Sequence, residues 1–571
     1  MKFNNKEYHI KVWNNEQLSG LCAFDCETEM ITHESIIPEL ITLQIYDGSD
    51  TVYFIEPDRI AEFFDLHQNT KFIAHNAKFD MSVLQAFIGS KGLYQLYDEC
   101  RVIDTAILFR LLHLATVGHL NTRYGLDYCV KRMLNIDLPK DEEIRTTFAQ
   151  FKGKSPLEIP KAHLEYAAKD AVSTLKLYLQ LVPEIKAVDK MNTMLSHDIQ
   201  VKGDWALGCM VRNGIGFDLA RKEEWLKEQD ETLLNLQRRL ANYGWVRGQK
   251  GVNQRFEEIL DWLGIKDKLP TTTTGSVSSK TEDLKNFRHL PFIDDYLSFN
   301  ELEKATSFVR NLEHNRIHPR FTLLLNTGRV SMSKPNLMQL PRKGNIRDMF
   351  IPERGKEFYI IDYSGMENAM LAQVLLKKYG ESVMADTINE GRDLHRYYAS
   401  ILFNKNEKKV TKEERQQAKA AVFGIPGGLG IDTFMQFARG YGLDLKPHQA
   451  QEMKDKYFEA FPEMRRYLRD AKEGMVYTLT GRARGNTSYC AVANTPFQGL
   501  GSDMAKLALY KLTKAGFKIV NFIHDECILE QDISMDRYEE ACSLMVEAGR
   551  KVAPDLKIEV EGGRAPRWIK M

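Results

Sequence analysis

The sequence predicts a multidomain α/β chain, on three observations. At 571 residues it exceeds the size at which a single hydrophobic core keeps growing, so two or more domains are expected. Short apolar, β-branched runs open two separate zones, each followed by long stretches of helical periodicity. Carboxylates of the metal-ligating type also fall in two sets, Asp25, Glu27, Asp80 and Asp170 in the first zone and Asp362 and Asp525 in the second.

The elements follow in order. Leu21–Asp25, after Gly20, reads as a short buried strand; Ile41–Tyr46 alternates as a second and stops at Asp47-Gly48; Thr51–Ile55 is a third. Together they predict an antiparallel meander. Lys71–His75 is a fourth strand, with helical spacing after Lys78 and a mainly helical region to about residue 188. Helical spacing resumes from Asp198 to Leu240, and the polar run Thr271–Ser279 reads as a loop or mobile tip. Phe358–Asp362 is a strand, Glu413–Tyr467 mostly helical, and Ile519–Ile523 and Glu526–Glu530 flank His524-Asp525 as a hairpin. No internal repeat is visible.

Composition excludes several classes. Hydrophobic residues at 43% and charged residues at 27% describe an ordinary globular protein. No apolar run approaches the roughly 18 residues of a membrane span, and the N-terminus lacks a signal-peptide core, so the expected location is cytoplasmic. Eight cysteines without a CxxC pair argue against a zinc site and a disulfide framework. Lys plus Arg and Asp plus Glu both number 78. The chain therefore lacks the basic excess usual in nucleic-acid binders, although a locally basic groove is compatible with zero net charge.

The first carboxylate set is chemically coherent. Residues two apart on a strand share a face, so Asp25 and Glu27 can hold one ion between them. Asp80, in Asn76-Ala77-Lys78-Phe79-Asp80, starts a helix after a strand. Tyr166 and Asp170 lie one helical turn apart on one face. Asp104 reads equally as a helix cap or as a further acid. Taken singly, each of these is an ordinary edge or cap residue. In this order they resemble the three motifs of the DEDD 3′→5′ exonuclease superfamily, in its tyrosine-containing branch, over roughly residues 1–188. The resemblance implies an RNase H-like domain in which Asp25, Glu27, Asp80 and Asp170 bind two Mg²⁺ or Mn²⁺ ions and Tyr166 orients the attacking water.

In the second zone, Asp362-Tyr363-Ser364 ends an apolar strand, and Asp525 sits at a hairpin turn. Arg415, Lys419 and Phe423 recur every four residues along one helical stripe, which reads either as a surface helix with an inward phenylalanine or as a triphosphate platform. Thr327-Gly328-Arg329-Val330-Ser331, Pro335-Asn336-Leu337, Asp362 to Glu367, this helix, Asn494 to Gly499 and His524-Asp525-Glu526 occur in the order seen in family A DNA polymerases, which the region 195–571 resembles. The resemblance implies a right-hand polymerase domain over 189–571, with a thumb at about 200–320, a palm at about 321–385 and 475–571, and fingers at about 386–474.

It further implies that Asp362, Asp525 and the Tyr363 carbonyl hold two Mg²⁺ ions. His395, Arg415, Lys419 and Phe423 would contact the nucleotide, Lys419 also as general acid, and Glu367 would be the gate against a ribose 2′-OH. Arg329, Asn494, Gln498 and His524 would touch primer or template, and Thr271–Ser279 would form the thumb tip. Three departures stand out: Gly365 and Met366 precede Glu367 in place of Gln-Ile, Met338-Gln339-Leu340 replaces Gln-Asn-Ile, and Pro426-Gly427-Gly428 replaces the usual Tyr-Gly ending of the fingers helix.

The function expected is template-directed DNA synthesis with 3′→5′ proofreading by a monomer acting on primer-template DNA and dNTPs, with helicase, primase and single-strand-binding protein as possible replisome partners. A single-subunit RNA polymerase and a non-catalytic DNA-end-binding scaffold are the alternatives. The first is opposed by Glu367 and the exonuclease motifs, the second by the complete ligand sets. The length leaves no room for a 5′-nuclease domain, and the layout resembles a bacteriophage replicative enzyme more than a host repair enzyme.

Overall fold

The computed structural model describes all residues except 32–35, 122, 140, 189–192, 273–274 and 342–344. Thr273 and Thr274 of the expected thumb tip, and the start of the expected second domain at 189, lie outside the described residues.

The first part is built on a six-stranded sheet of β1 (His9–Val12), β2 (Leu21–Thr28), β3 (Leu40–Tyr46), β4 (Thr51–Ile55), β5 (Lys71–Ala74) and β6 (Val102–Asp104). The strand order is β1-β4-β3-β2-β5-β6. Strands β2, β3 and β4 form the expected antiparallel meander, while β5 and β6 add in parallel to β2. Strands β1 and β6 carry too few residues for a period-two pattern to be read from sequence. Helices α1 (Ala77–Asp98), α2 (Thr105–Val117) and α3 (Lys161–Val188) cover the sheet. With both faces covered, residues 22–24 of β2 and 41–46 of β3 are continuously buried.

Helix α4 (Thr193–Asn213) is the spine between the two parts. Its Trp205, Leu207 and Met210 belong to a core that runs from β2 and α1 into the second part. A thumb-like layer follows, with α5 (Leu219–Asn242) packed on α6 (Pro291–Arg310) around a core of its own.

The second sheet contains β7 (Lys356–Tyr363), which runs into α7 (Met366–Tyr379). Helices α8 (Leu394–Leu402) and α9 (Lys412–Gly424) come next, with Ile431–Arg439, Pro447–Ala460 and Pro462–Asp470 completing the helical zone. A hairpin of β8 (Gly474–Tyr477) and β9 (Ala483–Thr487) leads into α10 (Tyr489–Lys514). The chain closes with β10 (Lys518–Ile523), β11 (Glu526–Asp532), α11 (Tyr538–Val552) and β12 (Val560–Ala565). The sheet order is β10-β11-β7-β12, all antiparallel. It carries α10 and α11, which also pack on each other.

The two parts meet at backbone distance. Arg484 Nε donates to Gly118 O at 2.9 Å, and Asn486 Nδ2 to Thr116 O at 2.8 Å. A Cβ on Gly485 would lie 2.1 Å from Ala115 O, so only glycine allows β9 to reach the end of α2. Gly485→Ala is therefore expected to lower stability by about 1–3 kcal/mol, the usual cost of overpacking, as read by denaturant unfolding. An unchanged midpoint would show that this contact does not fix the two parts.

Candidate active sites

The first site forms where β2, α1 and α3 converge. Carboxylate oxygens of Asp25, Glu27 and Asp170 lie within 4.8 Å of one another. The fourth expected ligand, Asp80, is buried on the first turn of α1, and its Oδ1 accepts the Cys26 backbone N–H at 3.0 Å. This locks α1 to the strand between Asp25 and Glu27. Tyr166 and Asp170, one turn apart on α3, line the same cavity of about 420 Å³ as Asp25 and Glu27, together with His75, Phe79 and Arg145.

Sequence reasoning missed Gln44. It sits opposite Asp25 in the β2–β3 register, and its Nε2 donates to Asp25 Oδ2 at 2.6 Å while its Oε1 accepts from Thr42. The signal was present: a buried amide in the otherwise apolar Leu40–Tyr46 strand needs a partner.

Burial raises the Asp25 carboxyl to about 6. Burial, and then the charge of Asp25, raises Glu27 and Asp80 well above the ordinary carboxylate range. Ionised acids this close repel, and a cation among them relieves the repulsion. The oxygen-only donor set suits a hard divalent ion.

Asp104 takes its structural role. It caps α2 by accepting from Ala106 N and Ile107 N, and it also accepts from Asn76 N and Ala77 N, so one carboxylate holds the first residues of two helices.

The second site lies at one end of the second sheet. Asp362, the penultimate residue of β7, pairs across the ladder with Glu526, and Tyr363 N donates to Asp525 O at 3.4 Å. Asp362 and Asp525 are thus neighbours on adjacent strands and remain partly accessible. His524, at φ 59°, makes the tight turn that places Asp525. Glu526 points elsewhere: it accepts from Trp568 Nε1 at 3.1 Å and lies 3.8 Å from Arg347. Tyr363 is buried, with its phenol donating to Met545 O, which leaves its backbone at the site edge.

A cavity of about 240 Å³ beside Asp525 is lined by Arg329, Glu367, Gln498 and His524. Glu367 Oε1 accepts from Arg329 Nη2 at 3.2 Å and from Gln498 Nε2 at 3.1 Å; Gln498 also bonds Asn494 at 3.2 Å. Asn494 in turn donates to Gly427 O at 3.3 Å. Four residues assigned separately from the sequence are therefore one hydrogen-bonded chain.

Helix α9 starts with a capping box of Thr411 and Glu414 and presents Arg415, Lys419 and Phe423. Arg415 Nε donates to Asp393 Oδ2 at 2.7 Å, and Asp393 caps α8 by accepting from His395 N and Arg396 N. The His395 ring lies 5.2 Å from that of Phe423. Burial pushes His395 down to about 4, and its Nδ1 makes no hydrogen bond among the described residues. Burial, then Arg415, also lowers the Lys419 amine. Phe423 is 37% exposed, so its ring faces outward rather than into the core.

The helix ends in one tight turn, Ile425–Gly427, and Gly428 follows at φ 76°. A Cβ on Gly428 would lie 2.6 Å from the Tyr489 ring, whose hydroxyl donates to Leu468 O. Glycine at 428 therefore lets an aromatic from α10 pack against the end of α9.

Behind this site lies a network that the sequence did not reveal. Arg482 Nη1 and Asp503 Oδ1 form a fully buried ion pair at 2.5 Å, and Gln200 of α4 donates to the same carboxylate at 3.0 Å. Lys506, also buried, donates to Gly328 O at 2.7 Å and to Gln200 Oε1 at 2.5 Å, and Ser502 donates to Gly328 O as well. These groups fix the turn that carries Arg329.

Two carboxylate sets thus stand on separate sheets, one of them beside the helix that carries Arg415 and Lys419. Residues 246–570 match DNA polymerase family A, and residues 6–186 match the 3′-5′ exonuclease family. The chain belongs to DNA polymerase family A and is a DNA-directed DNA polymerase with a 3′→5′ exonuclease domain. It is 26% identical to DNA polymerase I of Aquifex aeolicus over 536 residues, covering 87% of this chain and 88% of that one. It is 28% identical to DNA polymerase I of Chloroflexus aurantiacus over 97% of this chain and 62% of that one. A thermostable DNA polymerase I of Thermus thermophilus is 28% identical over 71% of this chain and 51% of its own length.

The fold is that of a solved structure of the POL domain of Pol1 from M. smegmatis, in complex with DNA primer-template and dNTP. The TM-score is 0.74 at 20% identity, covering 98% of this chain and 99% of that one. These relatives are bacterial, so the likeness to bacteriophage enzymes finds no support among them. No helix among the described residues is long and apolar enough to cross a membrane.

Proposed function

We propose that Asp362 and Asp525 serve the extension of a primer 3′ end, and that Asp25, Glu27, Asp80 and Asp170 serve its hydrolysis. The observation that carries this is the convergence of two carboxylate sets, distant in sequence, on two different sheets. Divalent ions such as Mg²⁺, held by these acids and by the Tyr363 carbonyl, would activate the attacking oxygen and neutralise the leaving one.

The chain's own residues do the rest. Arg415 and Lys419 meet the triphosphate of a dNTP, and the lowered amine of Lys419 suits proton delivery to departing pyrophosphate. The neutral His395 turns an unpartnered ring nitrogen toward the same region, and Phe423 offers a face to the sugar. Arg329, Asn494, Gln498 and His524 take the primer-template. In the other site, Tyr166 and Gln44 orient the attacking water and Asp25, respectively. Residues 1–188 and 189–571 form the two functional domains.

Extension of matched and mismatched primers in Mg²⁺, one dNTP at a time, tests this reading. Templated addition together with removal of mismatched ends is expected; primer binding without dNTP consumption would leave a scaffold instead. Because Arg329 and Gln498 hold Glu367 in place, Glu367→Ala is expected to raise ribonucleotide use relative to dNTP at least about ten-fold. An unchanged ratio of kcat/KM values would remove Glu367 as the sugar gate.

A further inference from the structure

The helix Pro462–Asp470 buries Met464, Tyr467 and Leu468, and its Tyr467 hydroxyl donates to Ala493 O of α10 at 2.7 Å. Its other face carries Arg465, Arg466 and Arg469, with Lys472 just past its end, and all four are exposed. Arg465 and Arg469 lie one helical turn apart. Among the described residues Arg465, Arg466 and Lys472 enter no ion pair, and Arg469 reaches only its neighbour Asp470, at 3.6 Å.

The acids of this segment are held by neutral donors. Glu463 accepts from Ser382 Oγ at 2.9 Å and from Met384 N at 3.0 Å, Asp470 from the Tyr379 hydroxyl at 3.0 Å, and Glu473 from Tyr489 N at 3.3 Å. Rings, rather than carboxylates, support the cations. The Arg465 guanidinium lies 5.1 Å from the Phe458 centroid and that of Arg466 4.4 Å from the Tyr379 centroid, while Lys378 Nζ, near the end of α7, lies 5.3 Å from Tyr379 as well. Burial lowers the Lys378 amine; Asp470 opposes this and Arg466 adds to it. Two cations on one ring repel, and an anion beside them relieves the repulsion. Guanidinium groups laid on rings keep their N–H forks free for phosphate.

The cationic face adjoins the extension site. Glu473, next to Lys472, and the Leu468 carbonyl, next to Arg469, hold Tyr489 against Gly428 at the end of α9. Further along α10, Asn494 reaches Gly427 O and bonds Gln498. This continuity with the primer-template contacts favours a nucleic-acid backbone over an acidic protein segment.

We propose that this face binds the phosphates of the unpaired template strand ahead of the primer end, on the 5′ side of the templating base. The proposal rests on the assignment of Asn494 and Gln498 to primer-template.

The test measures Kd against salt for the full chain on two primer-templates with the same duplex. One template ends at the templating nucleotide, and the other continues for about 12 unpaired nucleotides, within the span of ordinary single-strand sites. The triple variant Arg465→Gln, Arg466→Gln, Arg469→Gln is expected to lower the slope of log K against log salt on the long template by about 2, three phosphate contacts at about 0.7 each. The slope on the short template should stay unchanged, and the matching triple lysine variant should keep the unaltered slope on both. Arg469→Gln alone, at a side chain 75% exposed, should lower the long-template slope by about 0.7 without moving the unfolding midpoint.

An unaltered long-template slope in both glutamine variants overturns the proposal. So does an equal drop on the two templates, which would place the contact on the duplex. Loss of binding to a polyglutamate peptide with the long-template slope unmoved also overturns it, and would give the face to an acidic protein segment. If Gln498→Ala leaves the short-template Kd unchanged, the underlying assignment fails, whatever the arginine variants do.

Discussion

Asp362→Ala and Asp525→Ala are each expected to slow primer extension by more than about 10²-fold while leaving digestion of a single strand intact, and Asp25→Ala is expected to do the reverse. The bound on magnitude is conservative, because loss of even an outer-shell partner of a metal ligand can reach that scale. Independence follows from the architecture. Asp362 and Asp525 hang from the β7–β11 edge, whereas Asp25 and Glu27 sit on β2 of a different sheet. Single-turnover extension of a matched primer and digestion of a labelled single strand, run on the same preparations, measure both. A single substitution that eliminated both activities would sink the two-site assignment.

Arg482→Ala is expected to destabilise the protein by about 3–5 kcal/mol, because it strands the buried Asp503 carboxylate without its cation. The pair is also a hub: Asp503 accepts from Gln200 and Thr480, and Arg482 donates to Gly499 O at 3.0 Å. The substitution should therefore weaken primer-template binding through the Thr327–Arg329 turn as well as lower the unfolding midpoint. Replacing both partners, Arg482→Met with Asp503→Leu, should recover much of the stability, since removing a whole buried pair is often neutral. If the single variant unfolds at the unaltered denaturant concentration, the pair is not buried as described.

The legibility of these features in the sequence depended on their range. The β2–β3–β4 meander and the β10–β11 hairpin were readable because alternation and turn residues are local signals. Six carboxylates stand out in the sequence because each sits in a short recognisable frame. Gln44 escaped because its meaning comes only from the register that sets it against Asp25. Asp503 and Lys506 escaped for a stronger reason: charged residues in a helix pattern read as a solvated face, and Gln200, which bonds both, is about 300 residues away. Asp104 read equally as cap or ligand until the structure gave its carboxylate four backbone donors.

The sequence by itself determined the two zones, their local elements and the acids available to each, because strand ends, helix starts and motif spacing are written within a few residues. Only the tertiary structure decided which acids meet. Packing of α3 on β2 brings Asp170 to Asp25 and Glu27, while Glu526, beside Asp525 in the chain, turns away to Trp568. It likewise set Tyr489 against Gly428. These are outcomes of chain packing across long separations, where sheet register and buried volume, rather than local periodicity, choose the neighbour.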